Sequence, residues 1–251
     1  PMACPDGLCP STFNGIVYSG QTFNVTITAQ NASGNATANY DTTAGFSKTA
    51  VLTPYGSLGT TTAPSGAGTL GVASASAFVA GVRTESAQKY TFTTTPTAPT
   101  NIYINASDGE ANSRRVTNPT TDSVEGGVRV VSGRIQIPNM YGSERRPLPL
   151  PVTVQYYNGN YWATSVTDSL TSLTATGSIT PTAVGSLTAC SFGAITATPI
   201  AAGLGTITLP QPGSACSASV TANGPAYLPS NTARATFGIY KSPLIYRREN
   251  Y

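Results

Sequence analysis

The side chains that most often carry acid–base and metal chemistry are missing or scattered in this chain. It has no histidine, and so lacks the group that titrates near neutral pH and most often serves as general base or metal ligand. Ser-His-Asp and Cys-His machinery is therefore impossible, and no G-x-S-x-G nucleophile elbow occurs. A glycosidase needs two carboxylates facing each other, whereas the ten acidic residues fall mostly in predicted turns. Ser86 and Lys89 make one S-x-x-K spacing, without the S-D-N and K-T-G that accompany it in β-lactamase-like enzymes. In a regular strand these two residues would point to opposite faces. Gly66, Gly68 and Gly71 have the G-x-G-x-x-G spacing, without the preceding strand and following helix that a dinucleotide site requires. The expectation is a protein that is not an enzyme and needs no cofactor.

Four groups of residues point to binding or cross-linking. Asp108, Glu110, Asp122 and Glu125 are calcium candidates, because Ca²⁺ collects several carboxylates and carbonyls; the plainer reading is ordinary turn and linker residues. Tyr156, Tyr157, Tyr161 and Trp162 gather at one hairpin. Alternation sends Tyr156 and Tyr157 to opposite faces, which leaves Tyr157 and Trp162 as the candidate ligand-binding pair for stacking a sugar. The competing role is cross-strand packing. Lys48 and Lys89 are candidates for an isopeptide bond to an asparagine across a sandwich, of the kind found in some surface proteins. Cys4, Cys9, Cys190 and Cys216 allow three disulfide pairings. Proximity favours Cys4–Cys9 and Cys190–Cys216, and the rival four-cysteine zinc site lacks the close C-x2-C spacing. Disulfides imply an oxidising compartment.

These residues are carried by short strands. Phe23, Val25, Ile27 and Ala29 alternate with polar residues, as do Tyr90/Phe92, Ile102/Ile104, Val128/Val130, Ile135/Ile137 and Leu150/Val152/Val154/Tyr156. Further strands are expected at Ala50–Leu52, Phe78–Val82, Ser191–Thr198, Gly205–Leu209, Ala218–Ala222 and Arg234–Tyr240. Turns are expected at Ser33-Gly34-Asn35 and Asp108-Gly109, and a type I′ turn at Asn158-Gly159. No window sustains helical periodicity. Many short strands with Gly- and Pro-rich turns argue an all-β fold of two immunoglobulin-like β-sandwich domains in tandem. The expected division is a Cys-tied segment over 1–10, a first sandwich over 11–125 ending in a polar linker at 111–125, and a second over 126–251. The two blocks are similar in size, with no exact repeat.

Composition narrows the setting. Only 9% of residues are charged, against about 25% in an average soluble domain, so Thr, Ser, Asn and Gly must cover the surface. The net charge of +3 comes without any Lys/Arg run longer than a pair, so there is no nucleic-acid footprint. No stretch approaches the apolar length of a membrane helix, so no membrane insertion is expected in this chain. The start, Pro1-Met2-Ala3-Cys4, reads as a mature or trimmed form after removal of a signal peptide.

The second half resembles a known family. Asn139-Met140-Tyr141-Gly142-Ser143-Glu144 followed by Leu148-Pro149-Leu150-Pro151, the hairpin Gln155-Tyr156-Tyr157-Asn158-Gly159, and the closing Ala233-Arg234-Ala235-Thr236-Phe237-Gly238-Ile239-Tyr240 with Ile245-Tyr246-Arg247-Arg248-Glu249 are similar to the MSHA biogenesis protein Q (MshQ-like) family. Residues 126–251 carry the resemblance well, and Gly20 to Thr26 with Asp108-Gly109 more loosely. The family often has a cysteine after Asp-Ser where this chain has Leu170, so its disulfide pattern does not transfer whole. The resemblance implies an exported Gram-negative protein associated with type IV pili, with no catalytic residues to carry over and with Tyr251 near the family's usual end.

The function expected from these readings is an extracellular structural component of a pilus or surface filament on the bacterial cell surface. Its partners would be other subunits, copies of itself included, and the docking candidates are the first eleven residues and the tail with Arg247, Arg248 and Tyr251. The alternative is a pilus-tip adhesin that binds glycan or protein.

Overall fold

A computed structural model describes residues 1–4, 9–10, 13, 15–71, 77–113, 125–173 and 188–238. The described residues contain strands and no helix. The first sandwich uses β1 (Ile16–Tyr18), β2 (Thr22–Thr28), β3 (Val51–Tyr55), β4 (Gly68–Gly71), β5 (Val82–Phe92), β6 (Thr100–Ser107) and β7 (Gly126–Val131). One sheet has the order β1-β7-β6-β3 and the facing sheet β2-β5-β4, so that 126–131, expected at the start of the second sandwich, instead completes a sheet of the first by pairing with β1 and β6. The second sandwich uses β8 (Gly133–Gln136), β9 (Met140–Gly142), β10 (Leu148–Tyr157), β11 (Trp162–Thr164), β12 (Thr196–Ala197), β13 (Leu204–Leu209), β14 (Cys216–Thr221) and β15 (Thr232–Phe237). Its sheets are β11-β10-β13-β12, with β8 also on β10, and β14-β15-β9.

Period two is carried out cleanly in β10, where Leu148, Leu150, Val152, Val154 and Tyr156 are buried and the residues between them are not. Burying each such aliphatic side chain contributes about 1.5–3 kcal/mol. In β5 the phase would fail without a bulge. The register slips between Phe23 and Val25 of β2, and Ala87 has φ +61°. One extra residue on β5 then keeps Arg83, Glu85, Gln88, Tyr90 and Phe92 on the inner face. The bulge also puts Ser86 and Lys89 on the same, exposed side, which corrects the expectation that they face opposite ways.

The two sandwiches repeat one backbone plan. β1 runs parallel to β7 as β9 runs parallel to β15. β2 pairs with β5 from Thr28↔Val82 as β10 pairs with β13 from Thr153↔Leu204. Each β5-type strand enters through a two-residue turn with both central φ positive, Ala80-Gly81 in one and Ala202-Gly203 in the other. In each the glycine carbonyl accepts from a backbone amide, of Ala29 just past β2 in one and of Val154 in β10 in the other, both at 2.8 Å. A Cβ on Gly81 would meet Thr37 O at 2.5 Å, and one on Gly203 would meet Ser165 O at 2.5 Å. The same contact at both sites explains why neither position accepts a side chain. The short strand expected over Phe78–Val82 is replaced by this tight turn, in which Ala80 and Gly81 both take positive φ and reverse the chain.

The Asn158-Gly159 hairpin forms with a longer connection than a type I′ turn. Tyr157 pairs with Trp162, and Asn158 Oδ1 accepts from the amides of Asn160 and Tyr161. Around Thr196 only Thr196–Ala197 is strand.

The two cores meet at β1. Val17 packs into the first core with Val128 and Val130, while Ile16 and Tyr18, pointing the other way, join the second core with Met2 and Val131. Met2 is fixed there by paired backbone bonds with Ile16, each 2.9 Å.

Candidate functional site

The residues gathered most tightly lie at this junction. Tyr18, wholly buried, donates its hydroxyl to Asp168 Oδ2 at 2.9 Å, and Tyr227 stacks on its ring at 6.1 Å. Asp168 is itself wholly buried and is held by Thr171 Oγ1 at 2.6 Å and by the amides of Leu170 and Thr171. The sequence places Asp168 at an Asx-type turn, which supplies the local amides; β1 supplies the partner 150 residues away. Burial foremost, together with the Asp168 charge, pushes the Tyr18 phenol well above its ordinary range. The phenol therefore stays a donor, and the arrangement serves as a latch between the sandwiches. Tyr18→Phe is expected to cost about 1.5–3 kcal/mol, the range for a hydrogen bond to a charged group. Urea unfolding of both proteins measures it, and a loss under about 0.5 kcal/mol would show that the bond contributes little.

The cysteines pair as Cys4–Cys9 and Cys190–Cys216. The second bridge is buried, beside Phe237 and Ala218 in the second core, and ties β14 to the segment at 188–190, whose Ala189 bridges Ser217. Tyr157 and Trp162 are cross-strand neighbours with ring centroids 5.6 Å apart, both half-buried. The Arg134 guanidinium lies 4.2 Å over the Trp162 ring, steered by Nε donation to Gln155 Oε1 at 2.8 Å. Cation–π stacking thus occupies one indole face. Arg247, Arg248 and Tyr251 lie outside the described residues.

The calcium candidates that lie among the described residues do not converge. Asp108 takes the Tyr40 hydroxyl at 2.7 Å and the amides of Glu110 and Ala111. Burial pushes its carboxyl up, but these donors and Lys48 outweigh it and hold the group below its ordinary value. Glu110 pairs with Lys48 at the surface. Glu125 is buried and accepts from Asn105 Nδ2 and Gly59 N, both 2.8 Å. Asp122 lies outside the described residues. Among the described residues no three acidic or cysteine side chains gather around a metal-sized space. Lys48 is in its ion pair and Lys89 is exposed, so neither amine is buried against an asparagine as an isopeptide bond requires.

Sequence reading passed over one charged pair. Arg83 and Glu85, two apart on the inner face of β5, form an ion pair at 5% and 1% exposure, with the guanidinium 5.6 Å over the Phe78 ring. The only sequence signal is a pair of opposite charges at strand spacing.

Two family profiles divide this architecture between them. The third domain of DUF6701 matches residues 3–132, and the fourth domain of DUF6701 matches residues 131–250. The chain belongs to the DUF6701 family. The two DUF6701 profiles meet at Val131 and Ser132, where β7 of the first sandwich hands over to β8 of the second. No curated protein matches this DUF6701 chain by sequence. Its fold is similar to solved bacterial structures at low identity. These include the Yersinia pseudotuberculosis adhesin InvE (13% identity, TM-score 0.30, covering 89% of this chain and 56% of that one). The D0-D1 domain of intimin (14%, 0.25, 88% and 93%) and the Escherichia coli adhesin FdeC (15%, 0.33, 87% and 60%) are others. The DUF6701 chain spans little more than half of the InvE structure.

Proposed function

We propose that this chain is a non-enzymatic, extracellular structural component of a bacterial pilus or surface filament, acting through the packing of rigid sandwiches against neighbouring subunits. The observation that carries the reading is the junction. Met2, Ile16, Tyr18 and Val131 are all at or below 2% exposure, and together with the Tyr18–Asp168 bond they seat β1 and the end of β7 in the core of the second sandwich. An interface this apolar resists the relative motion that polar domain contacts permit. Two disulfides support an oxidising, extracellular setting. The MSHA biogenesis protein Q resemblance, strongest over the part matched by the fourth-domain profile, supports a type IV pilus context. Arg134 already covers one indole face and both rings are half-buried, so glycan binding at Tyr157 and Trp162 is the weaker reading.

Sedimentation velocity over a concentration series tests the proposal. Species growing beyond the monomer with concentration are expected. A monomer at every concentration, in oxidising buffer, would contradict self-packing.

A further inference from the structure

The repeated plan exposes a difference between the sandwiches. In the second, β8 lies antiparallel on β10 from Thr153↔Gln136 to Tyr156↔Gly133. Gln155 and Tyr156 pair with β11 as well, so β8 and β11 sit on opposite flanks of β10. From β8 and the residue just after it, Ile135 and Ile137 enter the core at 0% and 1% exposure. The shared register makes Thr28 to Asn31 of the first sandwich the counterpart of Thr153 to Tyr156. Among the described residues no strand lies on that flank of β2, which is the end strand of its sheet.

The flank opens on a cleft of two joined parts, about 440 and 400 Å³, that share Ile27, Thr28, Gln30, Ala106 and Ser113. Val25, Ile27 and Ala29 are only half-buried beside it, although their counterparts Leu150, Val152 and Val154 are at 0% exposure. The shortfall in burial falls where the second sandwich has its extra strand.

We propose that this cleft is an acceptor groove for an extended strand supplied by another polypeptide. The strand lies antiparallel along Thr28 to Asn31, where the chain runs on from the end of β2, and places aliphatic side chains two residues apart between Ile27 and Ala106. The backbone of an end strand supplies hydrogen bonds for such an addition, and the alternate pockets supply selectivity. The incoming segment has the pattern of Arg134-Ile135-Gln136-Ile137: aliphatic residues inward, polar residues outward. This inference stands apart from the filament reading, which needs packing but no particular groove.

The probe is a fluorescent peptide with the sequence of residues 131–139, titrated into the whole chain and followed by anisotropy. Saturable binding is expected. A peptide carrying aspartate at the positions of Ile135 and Ile137 should bind at least roughly tenfold more weakly, since each loses an apolar side chain from the cleft. Ile27→Asp in the protein should weaken the native peptide by a similar factor, with the unfolding transition recorded to verify that the variant folds. No saturable binding would overturn the proposal. Equal binding of the aspartate peptide would overturn it as well. Peptide binding without assembly would retire the filament reading alone, and assembly without peptide binding would retire the groove alone.

Discussion

Glu85→Ala is expected to destabilise the protein by about 3–5 kcal/mol, the cost of leaving one member of a buried ion pair without its partner. Arg83 stays at 5% exposure with the Phe78 face beside it, and a ring cannot replace a carboxylate for a desolvated guanidinium. The pair itself is a weak source of stability, because both charges have been taken out of water and Glu85 Oε2 finds no hydrogen-bond partner among the described residues. The double variant Arg83→Leu/Glu85→Leu is therefore expected to recover most of the loss, and to match or exceed the parent. The second sandwich supports this directly. At the positions facing Val152 and Leu150, the counterparts of Ile27 and Val25, it carries Gly205 and Ile207. An apolar inner face at this site is thus compatible with the fold. Denaturant unfolding of parent, single and double variants decides it. A double variant as unstable as the single one would mean that the pair is needed for more than mutual neutralisation.

Removing the Cys190–Cys216 bridge by Cys190→Ala/Cys216→Ala is expected to cost roughly 3–4 kcal/mol, since the bridge closes a loop across 26 residues of sequence separation and constrains the unfolded chain accordingly. The equivalent change at Cys4 and Cys9, separated by 5, should cost less, about 2 kcal/mol in the same chain-entropy picture. Packing widens the gap, because Cys190 and Cys216 are buried at 6% and 1% while Cys4 and Cys9 are half-buried. Thermal and denaturant unfolding of the two double variants measures the difference. A larger loss for the N-terminal pair would show that the segment ahead of β1 contributes more than its loop length suggests.

Much of the fold was legible where one physical signal decided it. The alternation from Leu148 to Tyr156 could be read directly, because β10 is regular and one face is wholly buried. The turns at Asn31 to Asn35 and at Asp108 to Ala111 were legible because Asn31 and Asp108 bind the local amides that their side chains predict. The turns at Ala80-Gly81 and Ala202-Gly203 were not, since alanine carries no preference for positive φ and the surrounding contacts impose it. The Ala87 bulge hid the phase of β5 in the same way: alternation counts residues, and one extra residue reverses inside and outside. Hydrogen-bond positions survive where side chains have changed, so the repeat is plain in the registers and absent from the sequence, with Arg83 and Glu85 standing where Gly205 and Ile207 stand.

The junction was the least legible part of the candidate site. Tyr18 and Asp168 are ordinary residues in sequence, and only the packing of β1 between two cores brings them to 2.9 Å. The cysteines were legible by proximity, and the aromatic hairpin by its spacing. Arg134 over Trp162 was not, because β8 reaches that ring only through its pairing with β10.

Electron microscopy of native material sheared from cells without denaturation tests the structural role most directly. The account predicts regular filaments in which this chain is the repeating unit, each copy visible as a fixed pair of sandwiches. Isolated particles, or an antibody label confined to pilus tips, would contradict it.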